Sequence, residues 1–329
     1  MCTPKGSLVT VGSDVVVVLS YKGADDTMSC VESLVTGSPS VDVLVVDNGS
    51  EDGLLERVSG EWPNVHTLQT GANLGFSGGM NAGLRWALAN GARTVTVLNN
   101  DTLIPAGAME RLVAQALTGG AVSPEVRYAD RPADVWFGGG LVDSDTTLPR
   151  HLHGAELVRP EGEYLTATSI LAGCCITANS QVWKEVGLFD ERFFLMFEDS
   201  EWSVRASRRG VPLLVDHSVT IQHKVSASFK GRFAYLGLYY YTRNGLKFGS
   251  IYRPWSPLAR LRFLRRHVFS VPISRLRHRD PRMALRLTIA AVLAIGARAM
   301  GLYGRALAPV EKLAQLWADL DVRHATLGQ

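Results

Sequence analysis

The sequence predicts an α/β protein with a doubly wound, mostly parallel sheet flanked by helices, and two observations carry that prediction. Short β-branched runs alternate with segments of helical spacing through the first hundred residues, as repeated βαβ units require. Each run also ends on polar residues, and in open α/β sheets ligands sit beyond the carboxyl ends of the strands.

Taken in order, VVVVLSY (15–21), VDVLVVD (41–47), VHTLQ (65–69) and TVTVLN (94–99) read as strands. Helical spacing fills 25–35 and 76–90 between them. The strand ends read Ser20-Tyr21, Asp47-Asn48-Gly49-Ser50 and Asn99-Asn100-Asp101. In TVTVLNND the alternation puts Val95 and Val97 on one face and Thr94 and Thr96 on the other, so a continued extended chain places Asn99 and Asp101 on the same side. The loop GANLGFSGGMNAG (71–83) lacks both the GxGxxG of a dinucleotide fold and the GK[ST] of a P-loop. Its glycines nonetheless allow backbone to approach a ligand, and a helix opening near Phe76 would offer free N–H groups to a phosphate or sugar. Further on, FFLMFEDSEW (193–202) leads from apolar residues into acids at a helix start, with Glu201 four residues before Arg205. The helix dipole there would keep one acid ionised. In VTIQH, Val219 and Ile221 alternate with His223, so an imidazole emerges at a strand end from the apolar side.

Composition limits the choice of class. A chain of 329 residues with 46% apolar content and a net charge of +3 has enough apolar material for a sizeable core. Its four cysteines, Cys2, Cys30, Cys174 and Cys175, show no CxxC spacing, and the adjacent pair reads as buried rather than reactive. The first twenty residues lack a basic leader before a long apolar run, from which a cytoplasmic protein is expected. Charge is uneven: ten arginines lie between Arg253 and Arg305 against a single acid, Asp280. GSIYRPWSP (249–257) gathers Gly, Pro and aromatic residues and suggests a boundary, giving a catalytic domain at 1–250 and a basic helical extension at 251–329. The uncharged run 287–297, bracketed by Arg286 and Arg298, is too short to cross a bilayer. Two expectations stand for the extension: a basic amphipathic surface against membrane at the inner face, or packing against the catalytic domain or a second subunit in a homodimer. A nucleic-acid partner is not expected, since the arginines lack interleaved stacking aromatics.

The runs VVVVLSY, VVDNGSEDG, NLGFSGGMNAG, VLNNDT, VGLFDERFFLMFEDSEWSVRASRRG and IQH follow one another in an order that resembles the family 2 inverting glycosyltransferases of GT-A fold. The sequence is most similar to their bacterial dTDP-rhamnosyltransferase branch, over roughly residues 15–248. That resemblance implies a GT-A (Rossmann-like) catalytic domain holding a nucleotide-diphosphate sugar. It assigns Asp47 to the pyrimidine base with Ser20 and Tyr21 beside it, and Asn73, Gly75 and Gly78 to the donor loop. Asn99, Asn100 and Asp101 fall on the family's DxD position, whose final acid binds Mg²⁺ or Mn²⁺ bridging the phosphates, and His223 matches a further metal ligand. Asp199 matches the general base, with Glu198 and Trp202 toward the acceptor.

The first member of the metal triplet is Asn rather than Asp, and the loop at Gly79-Met80-Asn81 has no Arg or Lys for the diphosphate. Asn99 therefore stands open between ribose and metal, and Asn100 is expected to contact ribose or sugar from the other side. Lys22 also occupies a place where relatives often carry Asn. The expected donor is dTDP-L-rhamnose, with another dTDP-6-deoxysugar or UDP-galactofuranose as alternatives; the acceptor is a glycan, a lipid-linked sugar or a small molecule. A competing class is a nucleotide-sugar-binding module that kept the fold without the chemistry. Each site residue also has a structural alternative: Asp47 as a turn former, Asn100-Asp101 as a cap before Pro105, the acids as helix-start charges, and His223 as a core histidine.

Overall fold

The computed structural model describes residues 12–143, 148–152, 154–157, 162–225, 232–251 and 255–327; Cys2 and Arg253 lie outside them. The chain forms two compact units. One comprises Met1–Val142, Pro149–Glu191 and Glu198–Val225; the other comprises Asp143–Leu148, Arg192–Phe197 and Ser226–Gln329.

In the first unit, β1 (Asp14–Ser20), β2 (Asp42–Asp47), β3 (His66–Gln69) and β4 (Thr94–Asn99) alternate with α1 (Ala24–Gly37), α2 (Leu54–Glu61) and α3 (Gly75–Ala89). These strands pair in parallel in the order β3-β2-β1-β4, so the winding reverses between β1 and β4. A crevice at such a reversal, beyond the strand ends, is where open α/β sheets bind ligands. The chain continues through β5 (Thr102–Leu103), α4 (Ala108–Ala116), β6 (Ala121–Tyr128), β7 (Val135–Phe137), β8 (Gly140–Val142), β9 (Pro149–His151), β10 (Leu165–Ala167), β11 (Cys175–Asn179), α5 (Ser180–Val186), α6 (Glu198–Arg208) and β12 (Leu213–His223). Strand β11 runs antiparallel between β4 and β6, while β12 runs parallel to β6. The sheet is thus mixed and mostly parallel, as the sequence predicts.

The near-continuous apolar run of β1 follows from burial on both faces. Val16 and Val18 join the cluster that includes Cys30, Val31 and Leu34 of α1, whereas Val15 and Val17 pack with Met80 and Leu84 of α3. Both faces of β4 are buried too. Its threonine hydroxyls are satisfied inside the sheet: Thr94 Oγ1 donates to Asp14 Oδ1 at 2.8 Å, and Thr96 and Thr177 share a hydrogen bond of 2.8 Å. Two glycines of α3 serve close approach. A Cβ on Gly83 would stand 2.3 Å from Val17 Cγ1, and one on Gly79 would stand 2.5 Å from Leu19 Cδ1, so α3 lies against β1 only because both side chains are hydrogen.

The second unit contains α7 (Arg232–Ile251), α8 (Pro257–Phe263), α9 (Ser270–Arg277), α10 (Pro281–Ala299) and α11 (Ala308–Leu327), with a π-helical turn, Leu264–Val268, joining α8 to α9. The division falls near residue 225, so the Tyr-rich α7 groups with the basic helices. Ser256 and Asp280 cap α8 and α10 by accepting from Ala259 N and Met283 N, and a proline follows each cap. The strap Arg192–Phe197 also belongs here. Phe194, Met196 and Phe197 have φ of 62°, 70° and 73°, a left-handed conformation that is costly for side chains of this size. Asn244 of α7, fully buried, holds the strap by donating from Nδ2 to the carbonyls of Phe193, Leu195 and Met196 at 2.6, 2.7 and 3.2 Å. Among the described residues, no helix is long and apolar enough to cross a membrane.

Candidate active site

Strand register brings the polar ends together. Ser20 pairs with Asp47 and Leu19 with Asn99, so the ends of β2, β1 and β4 lie side by side. Beyond β4 the chain turns through Asn100 and Asp101 into β5, which pairs with the end of β12 as Thr102 opposite His223. That pairing sets the imidazole over the turn. His223 Nε2 lies 3.0 Å from Asp101 Oδ1 and 3.3 Å from Asn99 Nδ2, so Asn99 and Asp101 do share one side, as expected, though it is the turn that brings them there. The ring is steadied by the indole of Trp136, edge-on with centroids 4.9 Å apart. His223 Nδ1 is buried and, among the described groups, has no hydrogen-bond partner. Asn100 turns the other way, with its amide donating to Gly23 O at 3.2 Å and Thr27 Oγ1 at 2.9 Å.

The second group of carboxylates sits at the start of α6. Asp199 Oδ2 accepts from Gly173 N at 2.9 Å; Oδ1 accepts from Ser200 N at 2.6 Å and from Ser200 Oγ at 3.1 Å. Those donors fix the carboxylate plane. Gly173 sits close to this carboxylate: a Cβ there would stand 3.0 Å from Asp199 Oδ2, so a side chain would push the carboxylate by a few tenths of an ångström. The two carboxylate sites are linked through the same loop: Cys174 O accepts from Asn99 N at 2.9 Å. The Cys174 thiol is held well above its ordinary range by burial first, then by Cys175, Asp101 and Asp199, so both carboxylates act on one buried sulfur. Glu198 differs from its neighbour. Burial, and then the charge of Asp199, pushes its carboxyl up to about 8, and its Oε2 is buried without a partner among the described groups. At neutral pH Glu198 is a protonated acid beside Asp199.

The donor-side residues are arranged as follows. Asp47 is buried; Oδ1 accepts from Ser50 N at 2.9 Å and Oδ2 from Gln69 Nε2 at 2.6 Å, which leaves each oxygen one further lone pair. Ser20 is wholly buried and its Oγ accepts from Thr27 Oγ1, so its side chain ties β1 to α1. Tyr21 is half-buried at the strand end. Asn73 Oδ1 accepts from Gly75 N at 2.8 Å, shaping the start of α3, and Gly75 takes φ +75°. Gly78 lies in the first turn, where a Cβ would meet Leu74 Cβ at 2.7 Å. Trp202 does not reach the site: it is fully buried, its indole N–H donates to Gly187 O at 2.8 Å, and it packs on Trp183 in the core. An aromatic spaced for the helix's inner face is drawn to the core by its own apolar area.

Sequence reasoning missed four residues. Asn48 pins the glycine loop, accepting from Leu74 N at 3.0 Å and donating to Gly75 O at 2.9 Å. Gln69, Gly173 and Trp136 support Asp47, Asp199 and His223. Only Asn48 carried a signal, in the DNG turn that follows β2. Next to His223, β6 ends at its register partner Tyr128. A cavity of about 600 Å³ opens there, lined by Arg127, Tyr128, Ala133, Asp134, Val135, Gly154 and Leu157.

A sheet reversal bearing Asp47, an Asn-Asn-Asp turn facing a histidine and an acid pair on a helix start are arranged on the GT-A fold of glycosyltransferases, and comparison with known proteins agrees with that fold. Residues 15–170, a little under half of the chain, match the family model "Glycosyl transferase family 2". The match contains Asp47 and Asp101 and stops before Asp199 and His223. The N-acetylglucosaminyl-diphospho-decaprenol L-rhamnosyltransferase of Mycobacterium tuberculosis is 28% identical over 229 residues, 60% of this chain and 70% of that protein. The dTDP-rhamnosyl transferase RfbF of Shigella flexneri is 22% identical over 183 residues, 56% and 60% of the two chains. Among solved structures, GalNAc-T7 with UDP, GalNAc and Mn²⁺ superposes with a TM-score of 0.56 at 14% identity, over 79% of this chain and 57% of that one. At that identity the likeness is one of fold.

Proposed function

We propose that this chain is a metal-dependent inverting glycosyltransferase that moves L-rhamnose from dTDP-L-rhamnose to an acceptor hydroxyl of a glycan or lipid-linked sugar. The observation that carries the reading is the 3.0 Å approach of His223 Nε2 to Asp101 Oδ1 beside Asn99. Two cis ligands of an octahedral ion held at about 2.1 Å stand roughly 3.0 Å apart, so this pair fits Mg²⁺ or Mn²⁺. Among the described residues no three His, Cys, Asp or Glu side chains converge. The pair therefore suits an ion that fills its other positions with diphosphate oxygens and water. Bound there, the ion would neutralise the diphosphate as it leaves, a task for which the loop at 79–81 supplies no cation.

The protein's own groups take the remaining work. Asp47 is read as the pyrimidine contact, with Tyr21 at its side. Asn73, Gly75 and Gly78 shape the loop whose N–H groups approach the donor, and Asn99 bears on ribose or metal. Asn100 reads chiefly as a brace, because its amide hydrogens are used on α1. Asp199, oriented by Gly173 and Ser200, accepts the proton of the acceptor hydroxyl as its oxygen attacks the anomeric carbon. Glu198, protonated, offers a hydrogen-bond donor to the acceptor or the donor sugar. Rhamnose as the sugar is supported by the names of the relatives; the cavity beside Tyr128 is the candidate acceptor subsite. The test is nucleotide release from dTDP-L-rhamnose, other dTDP-6-deoxysugars, UDP-galactofuranose and GDP-mannose, with Mn²⁺ or with chelator. Release from dTDP-L-rhamnose with metal only is expected. Release from none of them under any condition would support the non-catalytic module instead.

A further inference from the structure

Exposed apolar surface is concentrated in one part of the chain. Of the sixteen exposed large apolar side chains among the described residues, thirteen lie between Ile251 and Leu316. Through α8, the π-helical turn and α9, only Phe263, Val268 and Pro272 are buried. This segment rests on one narrow row and turns the rest of its circumference outward. Leu258 and Leu261 are 56% and 61% exposed one helical turn apart, and Ile273 and Leu276 repeat the spacing at 46% and 55%. A soluble helix normally hides such a stripe.

Charge interleaves with the stripe. Arg260, Arg262, Arg265, Arg266, Arg275 and Arg277 are exposed, and none has an acidic partner among the described residues. The single acid of the region, Asp280, is used as the cap of α10. Helical spacing sets Arg262 and Arg265 over the turns beside Leu258 and Leu261, and Arg277 beside Ile273. Arg286 and Arg298 of α10 behave differently: Arg286 bonds Asp321 and Trp317 O, and Arg298 bonds Ser250 Oγ. The uncharged run of α10, for which membrane contact and packing both stood as expectations, has two faces: Leu287, Ala290, Ala291, Ala294 and Ala297 are buried, while Ile289, Val292 and Leu293, with Leu285 just before the run, are exposed. What sets α8 and α9 apart is that their exposed apolar side chains alternate with exposed arginines.

We infer that the α8–α9 face docks on an anionic lipid surface, its leucines and isoleucine entering the acyl boundary while its arginines bind phosphate headgroups. Charge selects this occupant. A second copy meeting the face across a two-fold axis would bring six unpaired arginines against six more, an arrangement of like charge that opposes association. A lipid sheet bearing negative headgroups complements both the cations and the apolar side chains.

The test is flotation of the full chain with phosphatidylcholine vesicles with and without phosphatidylglycerol, at low and high salt. Binding is expected only with phosphatidylglycerol, weakening with salt. R262Q with R265Q should lower partitioning roughly 30-fold, about 5-fold for each arginine. L261S with L276S should abolish retention, and far-UV circular dichroism checks that both variants remain helical. No flotation of the wild-type chain with anionic vesicles, equal binding to neutral vesicles or wild-type binding by both variants would each overturn the inference. A dimer in light scattering that L261S and L276S dissociate would do the same. Nucleotide release scored on the same preparations keeps the two proposals separate, since the donor reading stands or falls without lipid.

Discussion

Glu198→Gln gives a stability test with a definite sign. The ordinary carboxyl value of 4.5 and the raised value of about 8 are roughly 3.5 pH units apart. Because the folded protein holds this proton more tightly than the unfolded chain does, its contribution is fully present below the unfolded value. Stability then falls as pH rises from about 4.5 through about 8, at ~1.4 kcal/mol per pH unit, to a ceiling of about 5 kcal/mol. Glutamine is neutral throughout and nearly the same shape. Other titrating groups are common to both proteins, so the wild-type Tm should drop relative to the variant between pH 5 and pH 8.5, by a few degrees and at most about 10 °C. Differential scanning fluorimetry across that range reads it directly. A Tm difference that stays constant from pH 5 to pH 8.5 would refute the burial of an unpaired carboxyl at Glu198.

Three further outcomes are expected. Asp199→Asn should lower turnover about 10²- to 10⁴-fold while dTDP binding by calorimetry stays near wild type; full retained turnover would return Asp199 to the role of a helix-start charge. Asn244→Ala removes the amide that donates to the Leu195 and Met196 carbonyls and one of the donors to Phe193 O, beside three left-handed residues, and urea denaturation should show a loss of about 2–3 kcal/mol. Gly83→Ala forces a methyl against Val17 and should cost about 1–3 kcal/mol by the same measurement.

Most of the first unit was legible because its signals are local. The four parallel strands fall where β-branched runs stand, and TVTVLN coincides with β4 to the residue. Asn99 and Asp101 do face one imidazole, but the turn at 100–101 rather than a continued strand brings them there, since β4 ends at Asn99. What escaped are contacts between distant residues. Gly173 reaches Asp199 across 26 positions and Gln69 reaches Asp47 across 22, and no spacing rule announces either. Asn100 and Trp202 show the limit of motif reading. A residue inside a motif follows the nearest hydrogen-bond partner or apolar face, which for Asn100 is the start of α1 and for Trp202 the core. The Arg-rich extension was legible as basic and helical, but which of its faces is covered depends on tertiary packing, so membrane contact and packing both stayed open for it.

The central claim is that Asp101 and His223 hold a divalent ion shared with the donor diphosphate. Electron paramagnetic resonance of free Mn²⁺, titrated with the wild-type chain, Asp101→Ala and His223→Ala in the presence and absence of dTDP, tests it most directly. Mn²⁺ binding is expected to tighten with dTDP in the wild-type chain and to be lost or weakened at least 10-fold in both variants. Equal Mn²⁺ binding by all three proteins with dTDP present would contradict it.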